Sequence, residues 1–68
     1  MQNEAKKLGA NLKNIRTNKG ITQTAIAQSL GVDRSFVSNI ENGKTNPTLS
    51  TITSLAKALD INASELLQ

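Results

Sequence analysis

The chain has 68 residues and a formal net charge of +3, from eight basic and five acidic side chains. At this length a chain buries only about 60% of the surface that it exposes when unfolded, so we expect one small domain over residues 1–68. The sequence contains no cysteine and no histidine. This composition excludes disulfides, thiol chemistry, zinc-finger sites and histidine general bases, and it implies neither a metal nor a cofactor.

The beginning of the chain, residues 1–12, is charged and lacks the apolar segment of a signal peptide. No run approaches the ~20 apolar residues that a membrane-spanning helix needs. We therefore expect a cytoplasmic protein with no membrane partner. Residues 1–44 hold seven basic and three acidic side chains, whereas residues 45–68 hold one basic and two acidic side chains. This asymmetry fits a nucleic-acid-binding face, and it fits ordinary solvation of the surface equally well.

Residues 5–19 are predicted to form the first helix. Its apolar residues recur at spacings of three and four, which is typical of one helical face: Ala5, Leu8, Leu12 and Ile15. Gly20 is expected to end the helix. Arg16 lies beside the apolar face, where a charge normally requires a partner.

Residues 23–42 are predicted to form two short helices joined by a sharp turn. Apolar residues mark the inner face of each: Ile26, Ala27 and Leu30 in the second helix, Val37 and Ile40 in the third. Gly31 lies between the helices and can adopt the left-handed conformation that a sharp turn requires. Thr22 and Asp33 are favourable N-caps, each flanked by apolar residues at the spacing of a hydrophobic staple. These features outline a helix-turn-helix.

The third helix is predicted to expose a mostly polar face. Its outward residues are Arg34, Ser35, Phe36, Ser38, Asn39 and Asn42. Phe36 is the only aromatic residue of the chain, and it lies about 100° around the helix from the inward-facing Val37. An exposed phenylalanine lowers solubility, which indicates a binding role for this face.

A loop follows the third helix. Gly43 can end that helix, and Pro47 favours an extended conformation at Asn46. The polar residues Lys44, Thr45 and Asn46 are then placed to contact a phosphate strand. The alternative is a simple turn, which explains the glycine and the proline but not the lysine.

Two more helices complete the predicted fold. Thr48 is expected to cap the fourth, whose apolar residues should close the core: Leu49, Ile52, Leu55, Ala56 and Leu59. Asn62 is expected to cap a fifth, short helix, with Glu65 completing a capping box. Ile61 and Leu66 have the spacing of a staple around the same cap.

The last two helices are also expected to carry a homodimer interface. Leu67 and the outer edge of the Leu55–Leu59 segment have no obvious partner within one chain. With the sequence ending at Gln68, we expect the folded body itself, rather than a separate dimerisation domain, to supply the interface. We expect Leu55, Leu59 and Leu67 to form it.

These motifs resemble the DNA-binding domain of phage lambda and 434 repressors and Cro proteins, and most closely small restriction-modification controller proteins. The matching segments are LKNIRTNKGITQ, AIAQSLGVDRSFVSNIENGKTNPTLSTITSLAKALDI and SELL, with the family's key residues at Gln23, Ala27, Gly31, Val37, Ile40 and Glu41. The resemblance implies an all-α, five-helix fold with a helix-turn-helix in helices two and three. It also implies a partly buried ion pair between Arg16 and Glu41; the alternative is two solvated charges that contribute almost nothing.

The resemblance further implies that helix three enters the major groove of DNA. The expected base contacts are Arg34 to guanine, Asn39 to adenine, Phe36 to a thymine methyl, and Ser35 on the same face. The expected phosphate contacts are Thr22, Gln23, Asn42, Lys44, Thr45 and Asn46. Two alternatives stay open: Arg34 is a surface charge or a phosphate contact, and Phe36 folds back over helix two.

We therefore expect a sequence-specific transcriptional regulator that binds palindromic, double-stranded operator DNA as a homodimer. No small-molecule ligand and no catalysis are implied, since the sequence has no histidine, no cysteine and no phosphate-binding glycine loop. The alternative is a protein-interaction module, such as an antitoxin or an adaptor. A salt-dependent shift of duplex DNA separates the two.

Overall fold

The computed structural model describes residues 4–68, and residues 1–3 of the predicted domain lie outside the described part. Within residues 4–68 the chain forms five helices and no strand, which confirms the predicted all-α architecture. The helices are α1 (Glu4–Asn18), α2 (Gln23–Leu30), α3 (Arg34–Glu41), α4 (Leu49–Leu59) and α5 (Ala63–Leu66). None of these five is both long and apolar enough to cross a membrane.

Left-handed residues end α2 and α4, and the one at Gly31 is a predicted stop. Gly31 has φ 73°, and the Val32 N–H closes the end of α2 by donating to the Ala27 carbonyl at 3.0 Å. Asp60 ends α4 with the same left-handed turn at φ 58°, although it carries a Cβ. Aspartate tolerates this conformation better than most residues do. The turn between α2 and α3 is therefore set locally.

Two of the predicted N-caps form through the side chain. The Thr22 hydroxyl accepts from the Ala25 N–H at 3.0 Å, and the Thr48 hydroxyl accepts from the Thr51 N–H at 3.1 Å. Each bond satisfies a first-turn donor that has no acceptor within its own helix.

The prediction that Asp33 caps α3 through its side chain is wrong. Asp33 has the extended backbone of an N-cap, but its carboxylate makes no capping hydrogen bond. Its own backbone carbonyl accepts from the Phe36 N–H at 3.0 Å, which occupies one of the two first-turn donors that a capping side chain uses. At α5 the Glu65 carboxylate accepts from the Asn62 N–H at 3.3 Å, as expected for a capping box.

The five helices surround one aliphatic core. α1 packs on α3 and α5, α4 packs on α2 and α5, and α2 packs on α3, so the pairwise contacts form a closed ring. The buried apolar residues are Leu8, Leu12, Ile26, Ala27, Val37, Ile40, Ile52, Leu55, Ala56, Leu59 and Leu66. Burial of this aliphatic surface is the main favourable term in folding.

Three expectations for α4 are corrected. Leu49 is 72% exposed rather than part of the core; it is the first residue of α4, and the first buried residue of this helix is Ile52. Leu55 and Leu59 are 0% and 1% exposed, because α2 and α5 cover α4 from two sides. Neither leucine has an outer edge free for a second subunit, so their assignment to a dimer interface is wrong. Leu67 is 54% exposed and remains a candidate.

Gly9 allows the close approach of α1 to the end of α3. A Cβ at Gly9 would lie 2.7 Å from the Glu41 carbonyl oxygen, and closer still to the carbonyl oxygen of Ile40. Both obstacles are backbone atoms, which cannot move without shifting α3. The absence of a side chain at Gly9 thus allows α1 and α3 to pack at this short distance.

Candidate nucleic-acid interface

The two faces of α3 differ in burial. Val37 and Ile40 are fully buried, and they hold the helix against the core. On the opposite face Arg34, Ser35 and Asn39 are exposed, and Phe36 is 39% exposed. The face of α3 that is predicted to contact bases, formed by Arg34, Ser35, Phe36 and Asn39 and called the reading face below, is therefore open to solvent.

Behind this face, Arg16 and Glu41 form an ion pair between α1 and α3. Arg16 Nε donates to Glu41 Oε2 at 2.5 Å, and Arg16 Nη2 donates to Glu41 Oε1 at 3.1 Å. The third arm of the fork, Nη1, donates to the Ile21 carbonyl at 2.9 Å. The side chains of Arg16 and Glu41 are 11% and 2% exposed, so the pair is not two solvated charges. Charge-assisted, two-point contacts of this kind are the strong class of hydrogen bond.

Gln23 connects this ion pair to Arg34. Gln23 Nε2 donates to Glu41 Oε1 at 2.9 Å, and Arg34 Nη1 donates to Gln23 Oε1 at 3.0 Å. Both ends of the Gln23 amide are thus engaged within the chain. A phosphate contact from Gln23 would come most directly from its backbone N–H, which as a first-turn donor of α2 has no intrahelical acceptor.

The predicted contact residues lie around two shallow surface grooves. One groove brings Thr22, Gln23 and Arg34 together where α2 begins. The other is lined by Ser35, Phe36 and Asn39 beside the turn between α2 and α3, so Phe36 borders that turn. Arg34 therefore borders the predicted phosphate ligands Thr22 and Gln23 while also belonging to the exposed face of α3.

The remaining phosphate candidates follow α3 in the chain. Asn42 Nδ2 lies 3.4 Å from the Ser38 hydroxyl oxygen, and the Lys44 N–H donates to the Asn39 carbonyl at 2.9 Å. The backbone bond fixes the start of the loop and leaves the Lys44 side chain exposed. Thr45 and Asn46 are exposed as well.

Two residues near the interface were missed in the sequence. The role of Gly9 could have been predicted, because a glycine inside a helix costs about 1 kcal/mol relative to alanine and so indicates a packing reason. Nothing in the sequence indicates the position of Lys6. Its Cα and Cγ would lie 3.0 and 2.7 Å from a Cβ on Gly43, so its stem covers the residue directly before Lys44.

The residues of the described range hold no group of three or more acidic side chains close enough together to bind a metal ion. The family of the chain follows from its similarity to known proteins. A family model described as helix-turn-helix matches residues 12–66. The chain belongs to the helix-turn-helix family. This match confirms the predicted resemblance to helix-turn-helix regulators. Members of the family that are described as transcriptional regulators are in general not enzymes.

Several relatives of this helix-turn-helix chain are regulators of phage or restriction-modification systems. The ImmF control region 10 kDa protein of Bacillus phage phi105 is 36% identical over 63 residues, covering 93% of this chain and 70% of the relative. The controller protein C.AhdI from Aeromonas hydrophila is 44% identical with a TM-score of 0.86, covering 91% of this chain and 94% of that one. The controller protein C.Esp1396I, solved as a tetramer with its natural 35 base-pair operator, is 26% identical with a TM-score of 0.82, covering 100% of both chains.

Proposed function

We propose that this chain is a sequence-specific transcriptional regulator that binds palindromic, double-stranded operator DNA as a homodimer. The observation that carries the proposal is the exposed face of α3, with Arg34, Ser35, Phe36 and Asn39 outward while the opposite face is buried. An α-helix of this size fits the major groove of B-DNA. The activity is binding without catalysis, and it is exercised where the DNA lies, in the cytoplasm.

Reading and positioning are assigned to different residues. Arg34 carries a forked donor that matches O6 and N7 of guanine, and Phe36 offers an apolar edge to a thymine methyl. Asn39 supplies an amide that can pair with adenine. Ser35 lies on the same exposed face, at its edge towards the turn between α2 and α3.

Phosphate contacts are assigned to both flanks of α3. Thr22 and the first-turn N–H groups of α2 precede α3 in the chain, and the exposed residues Asn42, Lys44, Thr45 and Asn46 follow it. The Thr22 oxygen accepts from Ala25, which leaves its hydroxyl proton to donate. We add Lys6 to the second flank because its stem lies against Gly43.

Pairing of two chains is supported by the operator complex of the C.Esp1396I relative. One helix-turn-helix covers only a few base pairs, and two must lie ~34 Å apart to meet successive major grooves on one side of the duplex. We assign the pairing surface to Leu67, since this apolar side chain is exposed beside Leu8, Glu4 and Lys7.

The test is selection of duplexes from a randomised double-stranded library, followed by affinity measurements between low and high salt. We expect a palindromic consensus, and log affinity falling with log salt by roughly 0.9 per phosphate contacted. Arg34→Ala should relax base preference at one symmetric pair of positions. Lys57→Ala, an exposed charge on α4, serves as the matched control and should retain both the consensus and the affinity apart from a small general charge effect.

The opposite result would be an absence of any enriched duplex together with binding that does not respond to salt. That outcome would favour the protein-interaction module over the regulator. The same library separates the two roles of Arg34, since a phosphate ligand at this position would weaken every sequence equally.

A further inference from the structure

The contacts behind the reading face form one continuous series from the core to Arg34. Arg16 holds Glu41, Glu41 Oε1 accepts from Gln23 Nε2 at 2.9 Å, and Gln23 Oε1 accepts from Arg34 Nη1 at 3.0 Å. Exposure rises along the series, since Glu41 is buried, Gln23 is half-buried and Arg34 is exposed. The series runs from a fixed charge to a side chain that faces solvent.

We propose that Glu41 and Gln23 are positioning residues that orient Arg34 for base reading, so that the buried ion pair sets specificity as well as stability. This inference rests on the proposed function, in which Arg34 contacts a base. It assigns Gln23 a role through Arg34, in place of the direct phosphate contact expected for its side chain.

The chemistry of the three groups forces the orientation of the Gln23 amide. An ionised carboxylate only accepts hydrogen bonds, so Glu41 must face the NH₂ group of Gln23. The amide oxygen of Gln23 then points away from Glu41, towards Arg34. A guanidinium only donates, so it pairs with an oxygen and not with an NH₂ group. Rotation of the amide by 180° would place two donors together at Arg34 and two acceptors together at Glu41.

The Glu41 carboxylate cannot turn to relieve such a mismatch. Arg16 binds both of its oxygens, and the pair lies between α1 and α3 with little access to water. Gln23 is therefore held from behind by a group that is itself held at two atoms. The fixed position of Glu41 thus determines the orientation of Gln23, and Gln23 in turn orients Arg34.

Arg34 keeps most of its binding capacity in this arrangement. The guanidinium has five N–H donors, and the bond to Gln23 uses one of those on Nη1. The remaining donors suffice for a two-point contact with guanine. Because the side chain is ordered before DNA arrives, less conformational entropy is lost on binding.

The test compares Gln23→Met with Gln28→Met, a matched change at an exposed glutamine of the same helix. The probes are a consensus duplex selected from a randomised library and its single symmetric base-pair variants. A bidentate arginine contact discriminates between bases by roughly 5- to 150-fold. We expect Gln23→Met to remove most of this discrimination at the positions that Arg34→Ala affects, and to leave the other positions unchanged. Gln28→Met should alter neither.

Uniform weakening of all duplexes by Gln23→Met, with the preference at those positions intact, would overturn the proposal and return Gln23 to the phosphate ligands. Glu41→Gln is the second variant, because it removes the charge while keeping the shape. If this variant stays folded with undiminished discrimination, Glu41 is not a positioning residue.

A measurement without DNA separates this proposal from the proposed function. Rotation of the Arg34 guanidinium, followed by nitrogen-detected NMR, should be slow in the parent chain and faster in Gln23→Met. Equal rotation rates would overturn the positioning role even if the chain selects DNA. Slow rotation in a chain that selects no duplex would overturn the regulator and leave the contact series standing.

Discussion

Arg16 and Glu41 join α1 to α3 through two hydrogen bonds at a position where both side chains are largely buried. Taking one partner away leaves the other charged and desolvated, which costs about 3–5 kcal/mol in comparable sites. We expect Arg16→Met and Glu41→Met each to lower the free energy of unfolding by this order. The double variant should lose less than the sum of the two. Urea unfolding of all four chains measures the coupling.

The control for this cycle is Lys57→Met, which removes an exposed charge and should change the free energy of unfolding by less than about 0.5 kcal/mol. A coupling free energy of zero between Arg16 and Glu41 would contradict a structural role for the pair.

Gly9→Ala is expected to be destabilising although alanine favours helices. The added Cβ would lie 2.7 Å from the Glu41 carbonyl oxygen, so α1 and α3 must separate. Overpacking of this kind costs about 1–3 kcal/mol. Thermal unfolding measures the change, and Ala10→Gly at the neighbouring exposed position is the control, with a loss of about 1 kcal/mol from helix propensity alone. A Gly9→Ala variant more stable than the parent would show that the helices are not in contact there.

Local signals explain why so much of the fold can be predicted. Thr22, Thr48 and Gly31 act through atoms within a few residues of themselves, and the apolar spacing of α3 indicates which of its faces is buried. Such signals are readable because they do not depend on the rest of the chain.

Apart from the Asp33 cap, which fails for a local reason, the errors arise where distant elements decide the outcome. The spacing of α4 shows that Leu55 and Leu59 face inward, but only the packing of α2 and α5 shows that they are covered completely. The hydrogen bonds of Gln23 join three segments of the chain, so no short motif contains them. Leu49 has core-like spacing but is the first residue of α4 and is exposed, since burial in this helix begins only at Ile52.

Lys44→Ala is expected to weaken binding to all duplexes alike and to reduce the salt slope by roughly one for each chain of the pair. Its side chain is exposed after α3, and its backbone is fixed by the 2.9 Å bond to the Asn39 carbonyl. Fluorescence anisotropy across a salt series measures the slope. Lys6→Ala should act in the same direction, whereas Lys57→Ala should not. A change in base preference with Lys44→Ala would mean that this lysine reads bases.

Leu67→Glu is expected to give a folded monomer with much weaker operator binding. The exposed leucine lies in a groove with Leu8, Glu4 and Lys7, and a buried carboxylate there would oppose pairing. Sedimentation equilibrium measures the association. Leu49→Glu is the matched control, because this leucine is also exposed but lies at the start of α4. An unchanged dimer in Leu67→Glu, or a monomer in Leu49→Glu, would move the interface.

The hydrogen bonds of Asn11 have a mechanical consequence. Asn11 Nδ2 donates to the Leu66 carbonyl at 3.0 Å and to the Gln68 carbonyl at 3.2 Å, which fastens the turn bearing Leu67 to α1. Arg16 fastens α3 to the same helix five residues later, about 7.5 Å along its axis. In a pair formed through Leu67, α1 thus holds each α3 at a fixed distance from the two-fold axis. Such a pair constrains the spacing between the half-sites as well as their sequence. One base pair added between the half-sites turns the second half-site by about 35° around the duplex, out of reach of the second α3.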